Sequence, residues 1–114
     1  MITLWHNPRC SKSRQALALL QEAGAEVTER RYLEDAPSVA EIEAAWEALG
    51  NPPVVEMMRK GEKVFRELGL SAQTPNAELI AAMAAHPILI ERPVALSGSR
   101  AVIGRPPETA LTLL

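Results

Sequence analysis

The chain has 114 residues, of which 47% are hydrophobic, and it carries a formal net charge of −2 at pH 7. A chain of this length can bury one core, so we expect a single domain over residues 1–114. The small net charge gives no general attraction to nucleic acid or to anionic membranes. No window approaches the roughly 18 apolar residues of a membrane span, and the N-terminal pattern is not that of a secretory leader. We therefore expect a soluble, cytoplasmic protein.

Cysteine and histidine are scarce in this chain. Cys10 is the only cysteine, which excludes an intramolecular disulfide and fits a reducing compartment. The two histidines, His6 and His86, cannot complete a metal site with a single thiol. We therefore predict no bound metal and no resident cofactor.

The first third of the chain predicts a β-α-β unit. Residues 2–5 are a short apolar run, and residues 13–23 repeat apolar positions at helical spacing until Gly24 ends the pattern. Residues 25–33 predict a second strand whose polar character suits the edge of a sheet. We interpret the three elements as a right-handed parallel crossover.

A helical insertion is predicted at about residues 38–85. Ser38 followed by Glu41 is the pattern of a capping box, and Gly50 with the prolines after it ends the helix that the box begins. Further helical pieces are predicted over residues 54–58, over residues 64–68, and from Pro75 as the first residue of a helix.

The last part of the chain returns to strand patterns. Extended segments are predicted over residues 88–90, 93–96 and 101–103. The last two form a hairpin through a turn at residues 97–99. Pro106 and Pro107 then begin a C-terminal helix with Leu111 and Leu114 on one face.

Cys10 lies where the first strand gives way to the first helix. A helix N-terminus carries roughly half a positive charge, and its unsatisfied amides can hold an oxyanion beside the sulfur. Four residues could add a cationic field: His6, Arg9, Lys12 and Arg14. The alternative is a small buried hydrophobe, but the polar neighbours favour an activated thiolate. We therefore predict that Cys10 is a nucleophile in an anion-binding loop.

Three arginines of the later segments lie within two residues of a glycine or a proline: Arg59, Arg92 and Arg105. The planar guanidinium fork suits a tetrahedral oxyanion. Each arginine alone could be a solvated surface charge, but their shared placement at turns favours a common role. Arg92 precedes Pro93 at the entrance to a strand, where a cis peptide would turn the backbone toward a neighbouring loop.

Four segments resemble, in the same order, the ArsC family of glutaredoxin-coupled arsenate reductases. They are WHNPRC at residues 5–10, MRK with ELGL at residues 58–70, HPILIERP at residues 86–93, and GRP at residues 104–106. The resemblance covers essentially the whole chain. It implies a thioredoxin-like α/β fold with a mixed four-stranded sheet of order 2-1-3-4, a helical insertion between the second and third strands, and a cis peptide at Arg92–Pro93.

The resemblance also implies a role for each matched residue. Cys10 corresponds to the nucleophile, and His6 to the histidine that helps lower the pKa of that cysteine. Arg59, Arg92 and Arg105 correspond to the arginines that bind arsenate and its arsenite adduct. The predicted oxyanion site also includes the three residues after the cysteine: Ser11, Lys12 and Ser13.

The activity implied by the resemblance is reduction of arsenate to arsenite. Because the chain has no second cysteine, the electrons must come from outside, with glutathione as cosubstrate and glutaredoxin as partner. We expect a monomer that acts on arsenate or a similar oxyanion, with no nucleic acid or membrane partner. Two alternatives are a glutathione-dependent thiol reductase without arsenate activity and an Spx-like regulator that binds RNA polymerase. Ser13 stands where the Cys-x-x-Cys switch of such a regulator has its second cysteine, which weakens that alternative.

Overall fold

The computed structural model describes all residues from Met1 to Leu114. The chain divides into two compact units, one made of residues 1–35 and 92–114 and the other of residues 36–91. The predicted insertion at about residues 38–85 lies within the sequence range of the second unit, and the single-domain assignment stays a prediction. No helix in either unit has the length and apolar character needed to span a membrane.

The first unit is built on a four-stranded sheet with the order β2-β1-β3-β4. Its strands are β1 (Ile2–Trp5), β2 (Val27–Arg30), β3 (Val94–Ser97) and β4 (Arg100–Ile103). β1 is parallel to β2 and antiparallel to β3, and β3 is antiparallel to β4. The predicted mixed sheet of order 2-1-3-4 is confirmed, with the polar strand β2 at its edge.

Helix α1 (Ser11–Glu22) supplies one side of the core of this unit. Ala16 and Leu20 are four residues apart and so share a helix face, while Ile2 and Leu4 alternate onto one face of β1. The core of the unit consists of Ile2, Leu4, Ala16, Leu20, Ala95, Ala110 and Leu113. Apolar spacing in the sequence therefore positions α1 on the sheet and places its N-terminus at the end of β1.

The C-terminal helix differs from the prediction in type and in register. Residues Pro107–Leu113 form a 3₁₀ helix whose buried positions are Pro107, Ala110 and Leu113, whereas Leu114 is 61% exposed. A 3₁₀ helix has three residues per turn, so residues three apart share a face. The predicted pair Leu111 and Leu114 has the correct spacing but lies one position away from the buried face.

The second unit contains helices α2 (Val39–Ala48), α3 (Lys63–Glu67) and α4 (Asn76–Ala85) and the 3₁₀ helices Val54–Met57 and Pro87–Leu89. The predicted capping box is confirmed, because the Glu41 N–H donates to Ser38 Oγ at 3.1 Å and the Ser38 N–H donates to Glu41 Oε1 at 3.0 Å. Pro75 is the N-cap of α4, so the helix begins at Asn76, one residue later than predicted.

The strand predicted at residues 88–90 is wrong. Pro87 lacks an N–H and has a fixed φ, which favours a turn at this point, and only Ile90 pairs, in an isolated bridge with Met58. Leu89 and Ile90 are fully buried, and a short buried apolar run looks the same in sequence whether it is strand or helix. The bridge is formed by the Arg59 N–H, which donates to Leu89 O at 2.7 Å, and by the Glu91 N–H, which donates to Met57 O at 2.8 Å.

Candidate active site

Cys10 is the N-cap of α1 and directly precedes its first helical residue. The Cys10 N–H donates to Asn7 O at 3.0 Å, and Cys10 O accepts from the Arg14 N–H at 3.0 Å. The backbone is thus fixed on both sides of the half-buried free thiol. A thiol at this position is next to the unpaired amides of the first helical turn.

Opposing effects act on the acidity of Cys10. Partial burial raises the pKa of the thiol, but hydrogen bonding from the Ser13 N–H and from the Arg92 side chain, the Arg92 charge, and the Lys12 N–H lower it. The net pKa lies below the ordinary value of a cysteine. The side chain makes no capping hydrogen bond of regular geometry, so we attribute the effect to stabilisation of the thiolate once the proton has left.

The charges that act on Cys10 differ from those predicted. Arg9, Lys12 and Arg14 are exposed, and their side-chain charges are not among the causes of the lowered pKa. Water and salt screen exposed charges strongly. Lys12 contributes through its backbone N–H, and Arg14 instead braces the loop, because its Nη1 donates to Pro8 O at 2.9 Å.

His6 is buried at the end of β1, with only 3% of its surface exposed. Burial lowers the pKa of His6; Glu29 opposes this effect, and the charges of Arg31 and Arg14 add to it. The imidazole is therefore predominantly neutral at pH 7, because its ordinary pKa of about 6.5 is reduced. The prediction that His6 adds cationic field at the sulfur is wrong.

His6 is connected to Cys10 through Ser13. Nδ1 of His6 is hydrogen-bonded to Ser13 Oγ at 2.7 Å, and the same oxygen accepts from the Asn7 N–H at 3.1 Å. Ser13 is fully buried, so its hydroxyl is used inside the loop, while its N–H lowers the pKa of Cys10. His6 thus positions the residue whose amide supports the thiolate.

Arg92 and Arg105 are linked in the first unit. Both residues precede a proline through a cis peptide, at Arg92–Pro93 and at Arg105–Pro106. Arg105 Nη1 donates to Arg92 O at 3.3 Å, and the Arg92 guanidinium lowers the pKa of Cys10. The structure therefore brings two of the three predicted arginines into one connected group with the thiol.

Gly104 allows the strand ends to approach one another. Its N–H donates to Pro93 O at 2.8 Å, and a Cβ added at this glycine would lie 2.8 Å from Pro93 Cγ. Real side chains do not approach this closely, so only glycine fits. The GRP segment at residues 104–106 marked this glycine in the sequence. Sequence periodicity could not show that Gly104 packs against Pro93.

Arg59 lies in the second unit, between two carboxylates. Its Nη1 is 3.2 Å from Glu91 Oε1 and its Nε is 3.7 Å from Glu62 Oε2. All three side chains are about one-quarter exposed, at 24%, 22% and 25% respectively. The convergence of Arg59 with the other arginines stays a prediction. Sequence reasoning missed both carboxylates; Arg59 and Glu62 pair across a turn, in which the Glu62 N–H donates to Arg59 O at 3.2 Å.

The remaining predicted residues lie in the first turn of α1. Ser11 and Lys12 are exposed there, so their side chains and the amide end of the helix are open to a ligand. No group of three or more His, Cys, Asp or Glu side chains is placed to hold a metal ion. The site therefore offers a thiol, backbone amides and guanidinium groups, which together suit an anionic electrophile.

Comparison with known proteins identifies the family. The model of the ArsC family matches residues 5–113. The chain is 41% identical to an arsenate reductase of Haemophilus influenzae, over 99% of this chain and 98% of that protein. A solved structure of an arsenate reductase from Vibrio cholerae has a TM-score of 0.95 and 45% identity, over 99% of this chain and 97% of that one. The fold is thioredoxin-like, and the chain belongs to the ArsC family.

A further relative has no assigned activity. The chain is 40% identical to the uncharacterised protein YfgD of Escherichia coli, over 99% of this chain and 96% of that protein. Matches at similar identity thus include proteins named for arsenate reduction and others without such a name.

Proposed function

We propose that the protein is an arsenate reductase, which reduces arsenate to arsenite through the Cys10 thiolate with glutathione and glutaredoxin as electron donors. The observation that carries the proposal is the lowered pKa of Cys10, to which Arg92 and the amides of Ser13 and Lys12 contribute. A thiolate beside oxyanion donors is what attack on a tetrahedral oxyanion requires. Whole-length relatives named arsenate reductase support the choice of substrate.

In this proposal arsenate binds first, and the thiol then attacks it. The first-turn amides of α1 and the guanidinium groups of Arg59, Arg92 and Arg105 hold the arsenate oxygens. The Cys10 sulfur forms a bond to arsenic, and one arsenate oxygen leaves as water after taking up protons. Arsenic remains in the pentavalent state, so this step needs no electrons.

Reduction requires two thiols from outside. The thiol of glutathione displaces a second oxygen as water, which leaves pentavalent arsenic bonded to two sulfurs. A glutaredoxin thiolate then attacks the glutathione sulfur and forms a mixed disulfide, and the electron pair of the broken arsenic–sulfur bond stays on arsenic. Water cleaves the remaining bond to Cys10, releasing arsenite and the thiol. The sum is arsenate and two thiols giving arsenite, one disulfide and water.

The cysteine count supports an external donor. Cys10 is the only cysteine, so the chain cannot form an internal disulfide and cannot resolve its own intermediate. A mixed species with an external thiol must therefore form at Cys10 during turnover. Glutaredoxin is chosen over thioredoxin because it acts on glutathione mixed disulfides, whereas thioredoxin exchanges protein dithiols.

Turnover of arsenate with glutathione and glutaredoxin tests the proposal. We expect arsenite to form with both donors present, and mass spectrometry should find a glutathione-containing adduct on Cys10 after incubation with arsenate and glutathione. Cys10→Ser is the control and should give neither product nor adduct. Robust turnover with thioredoxin in the absence of glutathione would contradict the donor assignment.

Two other results would move the assignment elsewhere. Glutathionylated Cys10 without arsenate turnover would indicate a thiol reductase that acts on other substrates. Recovery of RNA polymerase in a pulldown, together with no turnover, would indicate a regulator.

A further inference from the structure

A concave site lies beside the cysteine loop, within the first unit. It is a pocket of about 240 Å³ lined by His6, Asn7, Pro8, Arg9, Arg31, Leu33 and Glu34. Cys10 and the three predicted arginines are not among its walls, so the predicted oxyanion site does not account for it. Its volume is below the usual ~300–1,000 Å³ of a small-molecule site, which suits one part of a small ligand whose remainder extends outward.

Both walls of the pocket are held by hydrogen bonds. On one side the Arg9 N–H donates to Asn7 Oδ1 at 3.0 Å, and Asn7 is tied to Ser13. On the other side the Glu34 N–H donates to Arg31 O at 3.0 Å. The walls are joined at the base, where the His6 N–H donates to Arg30 O at 2.7 Å and continues the pairing of β1 with β2. The pocket is therefore a built feature of the fold.

The charges on these walls are not neutralised by one another. None of the ion pairs of the structure involves Arg9, Arg31 or Glu34. The Arg31 charge acts on His6, another residue that lines the pocket, because it contributes to lowering the pKa of His6. A ligand would meet two guanidinium groups, one carboxylate and the half-exposed apolar side chain of Leu33.

The location relates this pocket to the thiol. Its two walls follow the carboxyl ends of the parallel strands β1 and β2, the edge at which ligands bind in sheets of this kind. The first wall continues directly into Cys10, since Arg9 is its neighbour in the chain and consecutive Cα atoms are about 3.8 Å apart. A ligand seated here can extend toward the sulfur.

We propose that this pocket binds the peptide thiol cosubstrate, with its carboxylates on Arg9 and Arg31 and its ammonium group on Glu34. Glutathione carries two carboxylates, one ammonium group and one thiol, which is the charge pattern complementary to these walls. The inference rests on the proposed function for the role of the thiol, and it adds where that thiol binds. Arsenate fits the pocket less well, because Glu34 repels a dianion and the neutral His6 offers it no charge.

Binding can be measured without any turnover. S-methylglutathione, which cannot react, is titrated into the full-length protein while backbone amide resonances are followed by NMR. We expect the largest shifts at residues 6–9 and 31–34, and a dissociation constant about fivefold weaker in Arg31→Ala, as expected for one exposed charge pair. Glu34→Gln should also weaken binding. Arg66→Ala, an exposed arginine of the second unit, is the matched control and should bind as the wild type does.

Kinetics then connects the pocket with the reaction. Arg31→Ala should raise the KM for glutathione about fivefold and leave the KM for arsenate unchanged. A donor without carboxylates, such as 2-mercaptoethanol, should show no difference between Arg31→Ala and the wild type. If arsenate is not turned over but Arg31→Ala still weakens binding of S-methylglutathione, the proposed function fails and the pocket assignment stands.

Three results would overturn the pocket assignment. They are unchanged S-methylglutathione binding in both Arg31→Ala and Glu34→Gln, amide shifts confined to residues 92–105, and displacement of S-methylglutathione from residues 31–34 by arsenate.

Discussion

Cys10 and Arg59 are both expected to meet an oxyanion, yet their surroundings in the two units differ. Around Cys10, neutral dipoles and one guanidinium lower the pKa of the thiol against the effect of burial. Around Arg59, two carboxylates at 3.2 and 3.7 Å offset the positive charge. The surroundings of Cys10 therefore stabilise the negative charge of its thiolate. The surroundings of Arg59 instead offset the positive charge of its guanidinium group.

The comparison indicates which kind of variant changes which property. If Cys10 is the nucleophile, we expect groups that lower its pKa to change the rate of the chemical step. If Arg59 binds the anion, we expect the carboxylates around it to change the affinity for that anion. Backbone dipoles that are already held in place by hydrogen bonds stabilise a charge without having to reorient. The effect of an exposed side-chain charge is instead weakened by salt screening.

The largest effect is expected from Cys10→Ser. A serine hydroxyl remains protonated at neutral pH and does not form the arsenic bond, so arsenate turnover should fall below detection. The substitution is nearly isosteric at a half-buried N-cap, where serine is itself a favoured residue, so thermal unfolding should be unchanged or shifted slightly upward. A residual rate within tenfold of the wild type would remove Cys10 from the reaction.

Arg92→Ala and Arg59→Ala test the comparison directly. Arg92→Ala should raise the pKa of Cys10, and a titration that follows the ultraviolet absorbance of the thiolate measures this rise. The substitution should also lower kcat/KM, with a loss of transition-state stabilisation of about 2–4 kcal/mol if the guanidinium stabilises transition-state charge. Arg59→Ala should raise the KM for arsenate without moving the pKa of Cys10.

Lysine at position 92 provides the control for charge. Lys keeps the positive charge but lacks the planar fork, so Arg92→Lys should recover only part of kcat/KM. Equal shifts of the Cys10 pKa in Arg92→Ala and Arg59→Ala would contradict the expectation that only Arg92 acts on the thiol.

Gly104→Ala tests the approach of the strand ends that carries Arg92 and Arg105. The added methyl group would collide with Pro93 Cγ, and overpacking of this kind costs about 1–3 kcal/mol of folding free energy. Chemical denaturation measures the loss. Gly61→Ala is the matched control, because no atom lies within 4 Å of a Cβ there, and it should change stability little.

Ser13→Ala removes the oxygen that joins His6 to the loop. The buried Nδ1 of His6 and the partly buried Asn7 N–H then lose their hydrogen bonds, at a cost of about 1–3 kcal/mol in stability. The pKa of Cys10 should rise as the Ser13 amide loses its fixed position. Ser11→Ala, at an exposed position, is the control, and an identical pKa of Cys10 in both variants would argue against a positioning role for His6.

The smallest effect concerns pH and His6. Because burial lowers the pKa of His6, the unfolded chain takes up a proton that the folded protein resists. This contribution to stability is complete above about pH 6.5 and is lost as the pH falls from there toward the lowered pKa. As the pH falls over this range, the wild type should lose unfolding free energy that His6→Gln does not lose. The stability advantage of the wild type over His6→Gln should therefore narrow.

Several features of the fold could be predicted from sequence because they depend on local order. The strand at residues 2–5, the helix after Cys10 and the capping box at Ser38 follow from short patterns whose partners are near in the chain. The segment at residues 88–90 could not be assigned correctly, since burial of Leu89 and Ile90 by distant residues hides whether the run is strand or turn.

By itself, the sequence determined that Cys10 stands at a helix N-terminus and that the chain has the ArsC pattern, and the single cysteine predicts an external thiol donor. Only the tertiary structure decided which groups act on the sulfur. Arg92, far along the chain, lowers the pKa of Cys10 while the adjacent Arg9 does not, and His6 is neutral because it is buried. The reason is that electrostatic effects depend on distance, orientation and exposure to water, and the order of residues along the chain does not fix these quantities.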